Sequence, residues 1–219
     1  WASLFFDFDN DGRRDLFVSN GYPRDHTNMD FLKFTADEVL RIQRGEENIG
    51  FQDYLKKMPP IIEPNYFFKN EGGLRFTNQT GAWGLSKPVV TQSAAWADLD
   101  NDGDLDLVLN NTNEYADILE NHAGENQDQH WLRFRLLGRQ ENPAGTGTKV
   151  FAYARGTQFY LEQNPVRGFQ ASMDPILHIG LGPIDQVDSI VVVWPGNEKQ
   201  VLEQVRSNQT LSLNIRDAG

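Results

Sequence analysis

The sequence predicts a mainly β protein: the last blades of a partial, calcium-binding β-propeller that carry a helical insertion, then a β-sandwich-like domain at the C-terminal end. Three observations predict it. A nine-residue acidic pattern occurs twice, each time between two apolar runs. A stretch of different character, about residues 24–60, separates the copies and reads as helical. Beyond residue 125 the chain becomes a series of short alternating runs punctuated by Gly and Pro, as expected for a sandwich or barrel-like module.

The acidic pattern reads D-x-D-x-D-G-x-x-D. Its first copy contains Asp7, Asp9, Asp11, Gly12 and Asp15; its second contains Asp98, Asp100, Asp102, Gly103 and Asp106. Four carboxylates this close repel one another unless a cation sits between them. Gly at the sixth position permits the sharp reversal that turns alternating side chains onto one point. An all-oxygen set of this kind suits a hard cation, and Ca²⁺ fits best because it accepts six to eight oxygens in flexible geometry. A helical EF-hand would need a bidentate Glu at the twelfth position. Val18 and Leu109 stand there instead, inside apolar runs, so the ninth residue, Asp15 or Asp106, is the closing ligand and the loop leads into a strand. The alternative is an acidic surface turn without metal; two copies with Gly at the same place argue against it.

A chain of 219 residues suffices for one large or two modest domains. Its net charge of −11 offers no basic stripe for phosphates, which disfavours nucleic acid as a partner. There is no cysteine, hence no disulfide, thiol catalysis or Cys-based zinc site. No apolar run reaches membrane-spanning length. The first residue is Trp1, not Met, and the chain reads as the C-terminal part of a longer protein.

In order along the chain, residues 3–6 and 15–20 are expected as strands flanking the first loop, and residues 92–97 and 106–111 as strands flanking the second. In the insertion, Thr35 to Glu38 has the form of a helix capping box, with Val39, Leu40 and Ile42 as an apolar face. Phe51, Tyr54, Leu55 and Met58 suggest a second helix before Pro59 and Pro60. Asn65 to Phe76 reads as a hairpin turning at Asn70-Glu71-Gly72-Gly73. A counterpart is expected near residues 117–121. Each unit is then a four-stranded sheet with a loop between its first two strands, and repetition of such sheets means a propeller. Further strands are expected at residues 131–136, 149–154, 156–162, 176–180, 189–194, 200–202 and 210–215.

The two loops, with Ala95-Trp96-Ala97 before the second and Leu107 to Asn111 after it, resemble FG-GAP/VCBS repeats, the calcium-bearing blades of integrin-α-like propellers. This resemblance covers about residues 1–122. It implies structural Ca²⁺ held by Asp7, Asp9, Asp11 and Asp15 with the Arg13 carbonyl, and by Asp98, Asp100, Asp102 and Asp106 with the Asp104 carbonyl. A closed ring has about seven blades, so the missing ones are expected upstream. Asn142-Pro143-x-Gly145-x-Gly147, His178-Ile179-Gly180-Leu181-Gly182 and Val193-Trp194-Pro195-Gly196 resemble the ASPIC/UnbV domain, over residues 125–219. Together the resemblances imply a non-catalytic recognition or adhesion module, extracellular or on a bacterial cell surface, that binds protein or glycan. Two other readings are an accessory subunit of a bacterial outer-membrane nutrient-uptake complex and part of a polysaccharide-active propeller enzyme.

No catalytic residue is assigned. Gly145-x-Gly147 lacks the third Gly and the Lys of a phosphate loop and reads as a turn. The four histidines are scattered, and His178 is expected in a structural hydrogen bond. Trp96 is expected in the core, whereas alternation puts Trp131 on the outward face of its strand, available to pack between domains.

Overall fold

The computed structural model describes residues 2–125 and 128–219. It is 40% strand and 13% helix, a mainly β chain as expected, and its four sheets do not close into a barrel. Strand β1 (Ser3–Phe6) enters the first acidic loop and β2 (Asp15–Val18) leaves it. Helices α1 (Met29–Gln43) and α2 (Phe51–Lys57) follow. Strands β3 (Tyr66–Asn70) and β4 (Phe76–Asn78) then complete an antiparallel sheet in the order β1-β2-β3-β4. The second loop lies between β5 (Thr91–Ala97) and β6 (Asp106–Asn111), and β7 (Asp117–Leu119) closes a three-stranded sheet.

One apolar cluster serves both sheets. Leu4, Phe6, Phe17 and Phe67 of the first meet Ala94, Leu107 and Leu109 of the second, all at 3% exposure or less. Trp96 stacks on Phe6 with ring centroids 4.8 Å apart, and Trp83 packs on Phe67 and Phe8. Met173, from a later part of the chain, enters this cluster and accepts the Trp96 backbone N–H on Sδ at 3.3 Å.

The remainder forms two further sheets around one core. Strands β9 (Lys149–Ala154), β10 (Thr157–Glu162), β12 (Gln186–Val193) and β13 (Lys199–Arg206) pair in the order β10-β9-β12-β13. Strands β8 (His130–Leu137), β11 (Ile176–Gly182) and β14 (Gln209–Asn214) pair as β11-β8-β14. The β14–β8 pairing is parallel, a feature the sequence reading did not foresee. Alternation on β8 sends Leu132, Phe134 and Leu136 into the core, where they join Val150, Ile190, Val192 and Trp194 from the facing sheet. Gly145 (φ 62°) and Gly147 (φ 87°) occupy a turn in which the Asn142 side chain accepts the Thr146 N–H and donates to its carbonyl.

The insertion departs from expectation at one end. Helix α1 begins after Asn28, whose side chain accepts the N–H groups of Asp30 and Phe31. Thr35 therefore lies inside the helix, its hydroxyl on the Phe31 carbonyl and near Tyr54 Oη, and there is no capping box at that point. A true cap seven residues upstream satisfies the first amide groups, so the Thr35–Glu38 pattern is spent on ordinary helix positions. Val39, Leu40 and Ile42 are each 45% exposed or more; Phe31 is buried instead, against Phe34 and Tyr54. No helix among the described residues is long and apolar enough to cross a membrane.

Phe134 is fully buried at the centre of β8, opposite Leu177 on one side and Leu211 on the other. Replacing it with Ala removes an aromatic ring from a packed core, so Phe134→Ala is expected to cost about 3–5 kcal/mol. Urea unfolding of the two proteins measures this, with the midpoint falling and the slope unchanged.

Candidate metal centre

The two acidic loops fold to one plan. Asn10 (φ 58°) and Asn101 (φ 67°) take the left-handed conformation at the fourth position, and Gly12 (φ 86°) and Gly103 (φ 96°) take it at the sixth. The first Asp reaches across the turn: Asp7 Oδ2 accepts the Gly12 N–H at 2.9 Å, and Asp98 Oδ2 accepts the Gly103 N–H at 3.1 Å. This folding brings Asp7, Asp9 and Asp11 together, with one oxygen of each within 4.8 Å of the others, and likewise Asp98, Asp100 and Asp102.

The ninth residues stand elsewhere in the loops. Asp15 accepts the N–H groups of Phe8 (3.1 Å) and Asn70 (2.8 Å), one on each oxygen. Asp106 does the same with Leu99 and Asn121, at 2.8 and 2.9 Å. Asp15 thus ties its loop to the third strand of its sheet, and Asp106 ties its loop to the segment just after the third strand. Arg13 folds back on the loop, its guanidinium 2.7 Å from Asp11 Oδ2. The Asp104 side chain is fully buried, and its Oδ2 accepts the Gly124 N–H at 2.7 Å.

Electrostatics set these sites apart from ordinary turns. Burial pushes the carboxyl pKa values of Asp15 and Asp104 up to about 7, with neighbouring carboxylates adding to it. Burial also raises Asp7 well above the usual range, helped by Asp11 and Asp9. Asp98 is raised as well, burial outweighing the Arg133 guanidinium beside it. Each cluster has one basic side chain supplied from another strand: Lys69 of β3 pairs with Asp9 and Asp11, and Arg133 of β8 approaches Asp98 Oδ2 to 2.5 Å. These charges are not enough to saturate the oxygens. Asp9 Oδ1, Asp98 Oδ1 and Asp104 Oδ1 are buried with no hydrogen-bond partner among the described residues, and Asp98 is only 6% exposed. Buried anionic oxygens without partners, converging in an all-oxygen set, fit a hard divalent cation.

Both loops are covered by the β8–β11 pair. Asn10 is the hub: its Nδ2 donates to the Gly103 carbonyl at 3.0 Å, its Oδ1 meets His178 Nε2 at 2.8 Å, and its own carbonyl accepts the Gly182 N–H at 2.8 Å. Gly180 lies so close that a Cβ there would stand 2.2 Å from Asp7 Oδ2 and 2.6 Å from the Asn10 backbone. Gly103 lies under the Trp131 indole, where a Cβ would fall 1.8 Å from the ring. Trp131 therefore packs between the two parts of the chain, as alternation allows. His178 is held neutral, its pKa pushed down to about 3 by burial, with Arg133 adding to the effect.

Residues 138–219 match the family model described as ASPIC and UnbV. No curated protein matches the chain. The ASPIC/UnbV segment starts just after β8, so His178 and Gly180 lie inside it, whereas Trp131 and Arg133 lie in the strand before it.

Sequence reasoning singled out the aspartates but missed Lys69, Arg133 and Asn10. The one available signal for Arg133 was its place on the outward face of β8 beside Trp131, a face the second loop covers.

The raised carboxyl values carry a sign. Between about pH 4 and 7 the folded, metal-free chain keeps protons on Asp15 and Asp104 that the unfolded chain has released. Stability must therefore fall as pH rises through that window. His178 acts in the opposite sense below its usual pKa, but with a single proton. In excess chelator the unfolding free energy is expected to drop by on the order of 1 kcal/mol per unit from pH 5 to 7. Thermal melts across that range check it, and a rising trend would refute the electrostatic account.

Proposed function

We propose that the chain is a non-catalytic, Ca²⁺-binding recognition module, part of a larger extracellular or bacterial cell-surface protein. In this reading the two small sheets are terminal propeller blades of the FG-GAP/VCBS kind, and the ligand is a protein or a glycan. One observation carries it: two loops of the same sequence pattern gather carboxylates in the same way, with buried oxygens left unpartnered. Asp7, Asp9 and Asp11 would hold one ion, and Asp98, Asp100 and Asp102 the other. Asp15 and Asp106, with the Arg13 and Asp104 carbonyls, would complete the sets. The bound ion neutralises the carboxylates and lets them stay ionised.

The residues themselves do the rest. Asn10, His178 and Gly180 cover the first loop at Asp7, while Trp131 and Arg133 cover the second at Gly103 and Asp98. Asp25, next to His26 in the chain, is half-buried and held ionised by the Thr27 hydroxyl and N–H, a turn-capping role.

A second reading has its own support. Met29, Leu32, Leu40 and Phe51 of the insertion are 45–76% exposed, an apolar surface suited to docking in an outer-membrane uptake complex. Retention of a membrane partner by the wild type, and its loss in Met29→Asp/Leu32→Asp, would favour that role.

Calorimetry in millimolar Ca²⁺ and in chelator tests the main reading. An ion that binds only the folded state at about one hundred times its Kd adds about 2.7 kcal/mol. For a chain of this size that raises Tm by roughly 5–10 °C. Asp9→Ala and Asp100→Ala are each expected to remove part of the rise. An identical Tm in both buffers would sink the calcium assignment.

A further inference from the structure

A cavity of about 290 Å³ lies where β1 and the first acidic loop meet β10 and β11. Its walls combine aromatic faces with two guanidinium groups. Phe5 and Phe159 provide the former, and Phe5 is 51% exposed although it is large and apolar. Arg14 and Arg167 provide the latter. Arg14 Nη2 donates to the Tyr160 carbonyl at 2.8 Å and Arg167 Nη2 to the Glu162 carbonyl at 3.4 Å, which leaves most of the five donors on each group unused. Neither forms an ion pair with a carboxylate among the described residues. Burial, then repulsion from Arg14, lowers the Arg167 pKa, and the Glu162 carboxylate offsets only part of this. The acids on the same walls are already engaged: Glu162 accepts the Tyr160 hydroxyl, Asp174 faces Arg133 and Asp7 holds the Gly12 N–H.

His178 also lines this cavity. Because Asn10 Nδ2 is spent on the Gly103 carbonyl, Asn10 presents Oδ1 to the ring, and His178 Nε2 must carry the proton. Nδ1 is then an acceptor, buried and without a partner. A ligand suited to these walls brings an anion for the guanidinium pair and a flat apolar face for the aromatics, while the buried Nδ1 stays out of its reach. The volume is at the small end for ligand pockets and takes one six-membered ring.

We propose that this cavity binds an acidic sugar, its carboxylate held by Arg14 and Arg167 and its ring against Phe5 and Phe159. This narrows the glycan reading of the recognition function and needs no ion in the loops. D-Glucuronate titrated into the full chain, followed by calorimetry or NMR line shifts, tests it, with D-glucose and inorganic phosphate as comparison ligands. Glucuronate is expected to bind at least tenfold more tightly than either, and Arg167→Gln to weaken it about tenfold while circular dichroism stays unchanged. Arg14→Gln, which alters an exposed side chain, serves as the second variant should Arg167→Gln fail to fold. Equal binding of glucose, equal binding of phosphate, or wild-type affinity in the folded variants would each overturn the proposal. Every titration is run with Ca²⁺ and with chelator. Absence of glucuronate binding in both buffers rejects the sugar site alone, whereas an unchanged Tm between buffers rejects the calcium reading alone.

Discussion

Carboxylates held a few ångströms apart and away from water repel one another, and the layout of this chain is built around that cost. Asp7 and Asp98 are 8% and 6% exposed, Asp15 and Asp104 fully buried. A protein that only needed two tight turns could have left these loops in solvent, where screening makes clustered charge cheap. Here the β8–β11 pair lies over both. Covering them raises the carboxyl pKa values and makes each loop hungry for positive charge, whether a proton, Lys69, Arg133 or a divalent ion. The contact between the two parts of the chain and the charge state of the loops are therefore one problem, since neither can change without the other.

The close approach rests on residues without bulk. Gly103 under Trp131 and Gly180 against Asp7 and Asn10 leave no room for a methyl group. Asn10 then exploits the absence of space, spending its carbonyl and amide oxygen on β11 and its amide nitrogen on the second loop. Asn121 makes a second tie, donating to the Phe8 carbonyl at 2.6 Å and to Leu105 at 3.3 Å. A buried polar network of this kind is stable only when it is nearly complete, because each unpaired group inside costs more than a bond gains. The oxygens left over are on the aspartates, where a cation would satisfy them.

Much of the fold was legible because it is written in local patterns. Alternation located β5, β8 and β9 to within a residue or two, and the Asn70 to Gly73 turn located the hairpin. Of residues 117–121, where the repeat fades, Asp117–Leu119 form the third strand of the second sheet, which has no fourth. Helix α1 was misread at its start because two capping patterns compete within one turn-rich stretch, and Asn28 wins by having free amide groups to cap. Pairing of β14 with β8 was invisible, since parallel neighbours more than seventy residues apart leave no local trace. The acidic triads were legible for the opposite reason, their geometry being fixed by alternation and a glycine. Lys69 and Arg133 were not, because a basic residue on a strand looks solvent-facing until the surface that covers it is known.

The last contrast lies inside the repeat itself. Between the glycine and the closing Asp the pattern leaves two positions unspecified, and the two loops fill them differently. At the seventh position Arg13 lies outward on Asp11, whereas Asp104 turns inward to the Gly124 amide. At the eighth, Arg14 crosses to the Tyr160 carbonyl at the cavity, while Leu105 is 6% exposed in the shared core. The first loop sends basic side chains out, toward its own carboxylates and toward the neighbouring sheet; the second buries an acid and an apolar side chain. The fixed residues of the pattern set the turn, and these two free ones decide what each loop meets. That is why one motif, used twice, yields a structural junction at one copy and a chemically distinct wall at the other.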